Sequence, residues 1–480
     1  MMHVEFATLN QTELYRIISS NFPDLNKVKA VEQIKKYILP KLKIFKGKSE
    51  NKAIYFLEES EYVETEWKDM VSLHYVNTSY KLKNTVIRCH VFSKKQFDNK
   101  HYLGFFTLRP IDEIKVMVSF VYPNWNNICI DNDFNTYIMT YNKKVHIRGK
   151  TFNIQAYPVF CQDSVVTSCA HANIISMSKY LRVKDNISKL RLTDINNSYV
   201  FERSKVYPTN GLGFRQMLEI FSKNNWHVIY DRIQPCKKIK KHDAYFETIK
   251  ENIDVNIESA LPVLLNVTFT EKKTGEKIHH ILQIIGHTSE DVKRYVVYDD
   301  SGIFVNEVEG CRNFCMLLSW DEIVEKLFSE GGFVLYPQYE KVYMMFNDIK
   351  ERIEPILLKY NEDNKDNEEM VKTVYQKLEL SPADTRYLLV DNVVVKSFLK
   401  ENIPDYECIR PIIENNFSHY LWYCETKVDE VYLVFLADST YNVQTTKNIF
   451  INQKALVLPK VMSLLSSYKQ EPNYEVVYSK

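Results

Sequence analysis

Residues 162–181 read QDSVVTSCAHANIISMSKYL, and this stretch decides how the chain is understood. The apolar residues Ala172, Ile175, Tyr180 and Leu181, with Ile174 and Met177 alongside, suit one buried helix. Thr167 or Ser168 supplies the expected N-cap, so Cys169 opens that helix. In such a place a thiol meets the positive end of the helix dipole and backbone N–H groups without helical partners, which favours the nucleophilic thiolate. Seven residues earlier, Gln162 carries an amide able to join the Cys169 backbone N–H in holding a developing oxyanion. About 110 residues downstream, His280 opens the apolar run HILQIIGH (280–287), the pattern of a central strand. The next strand, RYVVY, leads into Asp299 and Asp300 before Ser301-Gly302. A carboxylate there is what fixes an imidazole's tautomer and stabilises its charge.

Outward from this centre, the chain divides by pattern into residues 1–150, 151–340 and 341–480. Residues 1–45 carry helical periodicity, and 50–150 hold short β-branched and aromatic runs such as TVIRCHVF and YLGFFTLRP. The first segment is therefore expected to be a separate α+β domain, with its acidic run EESEYVETE a solvated strand edge. In the middle segment a helix is expected at about 214–223 and a strand at about 226–231, followed by a helix, a proline break and further strands. Eight of the 11 glycines fall between Gly211 and Gly332, which places the tightest backbone geometry in that segment. The last segment has helical KVYMMFNDIKERIEPILLKY, a polar loop NEDNKDNEEM (361–370), then the helix and strands of a small α/β domain.

Composition excludes several classes. The 62 basic and 61 acidic residues leave a net charge of +1, so no global field steers the chain to nucleic acid or anionic membrane. The run Lys237-Lys238-Ile239-Lys240-Lys241 reads as a solvated loop. No secretory signal opens the chain and no run is long and apolar enough to span a membrane, so a cytoplasmic location is expected. Nine scattered cysteines without CxxC pairs argue against a disulfide framework or a zinc site. Neither a metal nor another cofactor is expected. Cys169, His171, His279, His280 and His287 lack metal-site spacing, and His279 points to the face opposite His280. His171, two positions from Cys169, faces away from it and is expected to be a core or hydrogen-bonded histidine.

The order Gln162, Cys169 at a helix start, His280 opening a strand with Gly286 six residues later, then aspartate on the next strand, resembles the papain-like cysteine peptidase superfamily. GLGFRQMLEIFSKNNWHV (211–228) looks like the helix–strand connection of bacteriocin-leader peptidases, the processing domains of peptide-exporting ABC transporters. The run Gln162-Asp163-x5-Cys169-Ala170-His171-Ala172 is similar to that of uncharacterised bacterial proteins, which also resemble this chain in YLGFFTLRP and LWYCET…VFLADST. The abundance of Lys, Asn and Ile suits a bacterial source. The motifs span residues 155–305. The glutamine stands seven residues before the cysteine, where papain-like enzymes usually place it six before.

This resemblance implies an α+β fold in which a helix bearing Cys169 packs on an antiparallel sheet bearing His280 and the aspartate. It also implies acyl-transfer chemistry through a thioester. By analogy with the Ser-Trp-Gly that follows papain's orienting asparagine, Asp300 is preferred to Asp299 for orienting His280. The expected activity is a thiol protease or isopeptidase acting on a peptide or protein, with the flanking segments recognising substrate or holding the enzyme until a regulatory partner binds. An acyltransferase, transglutaminase-like or deamidase reaction uses the same residues, and a papain-fold binding module would keep them without chemistry.

Overall fold

The computed structural model describes residues 5–21, 27–42, 53–75, 83–109, 116–118, 120–121, 136–163, 166–185, 189–198, 211–235, 244–270, 275, 277–288, 293–300, 315–339, 342–343, 345–351, 385–402, 406–414, 418–428, 431–440 and 456–459. The runs at 237–241 and 361–370 lie outside them. Contacts group the chain into two units, one of residues 1–243 and 262–335, the other of residues 244–261 and 336–474.

In the first unit, β1 (Ala7–Thr8), β2 (Tyr55–Tyr62), β3 (Val86–Phe92), β4 (Tyr102–Leu108) and β5 (Val116–Val118) form one antiparallel sheet in chain order. Every residue of β3 is buried, as the unbroken run VIRCHVF requires of a strand covered on both faces. Strands β6 (Phe120–Val121), β7 (Thr136–Ile138), β8 (Tyr141–Ile147) and β9 (Lys150–Pro158) follow. β8 and β9 are a hairpin whose two-residue turn, Arg148-Gly149, has φ of +47° and +79°. Left-handed backbone at both positions is what matches a hairpin turn to the twist of its strands. Rings of Phe92, Phe97, Tyr102 and Phe152, with centroids 4.9–6.0 Å apart, lock β9 against the first sheet.

The third sheet is the one that carries the site. It contains β10 (His227–Ile233), β11 (Val263–Thr270), β12 (Lys277–Thr288), β13 (Arg294–Tyr298), β14 (Cys315–Ser319) and β15 (Gly332–Gln338), in the spatial order β10-β15-β11-β12-β13-β14. β11 pairs β12 antiparallel along 263–270, and past Ile284 the same edge of β12 is taken over by β7. Gly286 makes that exchange possible. A Cβ built on it would lie 2.0 Å from the Tyr137 carbonyl oxygen, so no larger residue lets β7 approach.

In the second unit, β16 (Thr385–Asp391), β17 (Tyr420–Val428), β18 (Val431–Asp438) and β19 (Leu456–Pro459) form an antiparallel sheet. Leu388, Val395, Leu399, Ile409, Tyr423 and Val434 fill its core between the strands and two helices, Asn392–Asn402 and Tyr406–Ile413. The helix Ala244–Glu258 packs on β16, where Ser259 Oγ accepts a hydrogen bond from Leu389 N at 2.9 Å.

The chain is thus α+β with antiparallel sheets, and its helix Phe214–Lys223 and strand His227–Ile233 fall where periodicity places them. Four expectations are corrected. The boundary expected at 150 falls at the first residue of β9, inside a hairpin, and β7 ahead of it belongs to the sheet of β12. Residues 244–261, expected within the middle segment, group with the C-terminal one, whose antiparallel sheet makes it α+β rather than α/β. The acidic run is not a solvated edge. Its first five residues end β2, its last two, Thr65 and Glu66, open the helix Thr65–Leu73, and Glu64 pairs with buried Arg109 at 2.8 Å while Glu66 meets Lys179 at 2.9 Å and Lys189 at 3.2 Å. Among the described residues no helix is long and apolar enough to cross a membrane.

Candidate active site

The helix Cys169–Asp185 begins at Cys169 itself, and the loop before it is shaped by Asp163. This buried carboxylate accepts from the backbone N–H of Val166 (3.0 Å) and Thr167 (2.7 Å) and from Thr167 Oγ1 (2.8 Å). Its other oxygen accepts from Tyr75 Oη at 2.9 Å. Asp163 N in turn donates to Thr167 Oγ1 at 2.9 Å. Asp163 therefore ties itself to Val166 and Thr167 just ahead of the helix, and half-buried Gln162 stands next to it in the chain. The Asp of the Gln-Asp pair thus has a physical role in aiming the helix start.

Of Cys89, Cys161, Cys169, Cys315 and Cys424, all free, only Cys169 is not fully buried. Burial pushes the Cys89 and Cys424 thiols upward, which keeps both as small hydrophobes. Cys169 is instead near enough to the His280 ring to help raise its pKa. The helix packs on β12, the strand that presents His280.

His280 Nε2 lies 2.8 Å from Asp299 Oδ1, and both residues are buried. Burial opposes the charged imidazole, but the Asp299 carboxylate and the Cys169 contact outweigh it, and the His280 pKa is raised well above its ordinary value. The preference for Asp300 is corrected here: its Oδ1 is 4.0 Å from Nε2. The reason is register. Tyr298, the last residue of β13, pairs with Gln283, and one further step in that register would set Asp299 opposite Leu282. Leu282 shares the face of His280, and directly opposed residues in an antiparallel pair point the same way.

Asn173, one turn along the helix, was not singled out by sequence. It is buried, and its Nδ2 donates to the Cys169 carbonyl at 2.9 Å and the Ile281 carbonyl at 3.0 Å, with Asp300 Oδ1 at 3.5 Å. Asparagine is common enough inside helices that only the fold could mark this one.

The remaining histidines go elsewhere. His171 is buried, its Nδ1 accepting from Ser168 N at 3.2 Å and lying 2.9 Å from Ser168 Oγ. Burial drives its pKa down to about 4, so it is neutral at ordinary pH. His279 is exposed beside Thr268, and His287 donates from Nδ1 to the Thr288 carbonyl at 2.7 Å. Among the described residues, only His280, Asp299 and Asp300 bring three potential metal-donor atoms within 4.8 Å of one another. A cation held there would displace the proton of the His280–Asp299 hydrogen bond.

The arrangement can accept a thiol proton at one side of an imidazole while a buried carboxylate holds the other side. Comparison with protein-family models returns no match, and comparison with curated proteins returns none either.

Proposed function

We propose that this chain is a cysteine hydrolase of papain-like arrangement that cleaves a peptide or protein amide, with Cys169 as nucleophile, His280 as base and Asp299 as the group that orients it. The observation that supports the reading is the His280 ring, held at Nε2 by Asp299 and made more basic by that carboxylate and by a cysteine at a helix start. In the neutral ring, Nε2–H donates to Asp299, which leaves Nδ1 to take the thiol proton. The thiolate attacks the amide carbonyl carbon, and the oxyanion is received by the Cys169 backbone N–H and the Gln162 amide. As the C–N bond breaks, the imidazolium returns its proton to the departing amine. His280 then deprotonates water, which attacks the thioester and releases the acid and the thiol.

The test is alkylation of the full chain with iodoacetamide, mapped by mass spectrometry, followed by incubation with a peptide mixture in ¹⁸O-water. Rapid labelling at Cys169 that is slowed in H280A, with one ¹⁸O in each new carboxyl end, supports the reading. Ligated or deamidated products would redirect it to the transferase or deamidase reactions. A Cys169 no more reactive in the folded chain than in H280A would overturn it in favour of a binding module.

A further inference from the structure

We infer that Asn173 is a positioning residue that sets the separation of Cys169 and His280, an assignment that rests on the reading above. Asparagine bonded to the carbonyl four residues back is ordinary in helices, and Asn256 makes that bond to Asn252 at 2.8 Å. Asn173 makes it and also reaches out of its helix. The two hydrogens of Nδ2 go to Cys169 O and Ile281 O. Cys169 carries the thiol, and Ile281 is next to His280 on β12. One planar amide therefore ties the turn bearing the nucleophile to the strand bearing the base. The third, longer contact, 3.5 Å to Asp300 Oδ1, adds the residue that follows Asp299. A single side chain thus touches the backbone of the first member, the neighbour of the second and the neighbour of the third.

The cost of keeping it is visible in the same side chain. Its Oδ1 is buried and meets no hydrogen-bond partner among the described residues, a penalty that an apolar residue would not carry. What the amide supplies is donors aimed at two carbonyls of different elements, which no apolar side chain can reproduce. Reactive groups tolerate little misplacement, since about 1 Å can cost roughly 100-fold in rate.

The experiment measures the rate of Cys169 alkylation by iodoacetamide across pH in the full chain and in N173A and N173S, with the urea midpoint of each recorded. Serine can still bond to the carbonyl four residues back, so N173S removes chiefly the bridge to β12. Both variants are expected to label at least 10-fold more slowly at neutral pH, with the pH profile displaced toward that of H280A. The same N173S exchange in an H280A background is expected to change nothing further, because placement matters only while the base is present. An N173S variant with the wild-type rate and profile overturns the inference, as does an equal slowing in both backgrounds, which would mark a general loss of structure. A wild-type chain that labels no faster than H280A fails on the proposed function instead, and the two failures are separate.

Discussion

Asp299 and Asp300 are adjacent and equally buried, yet one lies 2.8 Å and the other 4.0 Å from His280 Nε2. D299A is therefore expected to lower Cys169 reactivity by about 100-fold or more, and D300A by much less, in the same alkylation assay. The histidines predict opposite pH behaviour. The pKa of His280 is raised on folding, so the stability it contributes is fully present below about pH 6.5 and is lost as pH rises through the raised value. The pKa of His171 is lowered to about 4, so the unfolded chain takes up that proton first and stability falls between about pH 6.5 and 4, by about 3 kcal/mol in all. Urea midpoints against pH check both, with D299N expected to weaken the alkaline loss and H171L to flatten the acid one. Cys169, His280 and the aspartate pair were legible because helix start, apolar strand and strand end each leave a local pattern. The choice between the aspartates was not. It depends on which residue of β12 stands opposite Tyr298, and pairing register is a long-range property.

At the level of elements, the exchange of β11 for β7 along β12 hangs on Gly286. A methyl group there would overlap the Tyr137 carbonyl, backbone that cannot swing aside as a side chain can. G286A is expected to cost about 3 kcal/mol or more, read as a lowered urea midpoint, with the loss of protection concentrated at Tyr137 and His287 in hydrogen exchange. The same element shows where local pattern stops being informative. Helix Phe214–Lys223 and strand His227–Ile233 announce themselves by period and turn residues. The run NTYIMTY that holds β7 reads as a strand, but nothing local to it says that its partner is β12, far along the chain. The acidic run misled for a related reason. Glu64 and Glu66 look like surface residues until Arg109, Lys179 and Lys189 arrive from far along the chain.

For the whole molecule, the residues ahead of 150 supply β7 to the sheet of His280, Glu66 to the lysines of the Cys169 helix and its flank, and Tyr75 to Asp163. A chain started near residue 150 is accordingly expected to be insoluble or molten. Its near-ultraviolet circular dichroism should be flat where that of the full chain is structured, and a well-folded fragment would refute this account of the core. The same long-range assembly has a consequence in time. Cys169 and Asp299 are 130 residues apart in the chain. A ribosome adding about 5–20 residues per second needs roughly 6–26 s to travel between them. For the first 111 of those residues the thiol has no imidazole, until the last of them it has no carboxylate to orient one, and β7 waits for β12 to be made. Under the proposed chemistry, the newborn protein is inert toward its neighbours on the polysome until its last central strands emerge.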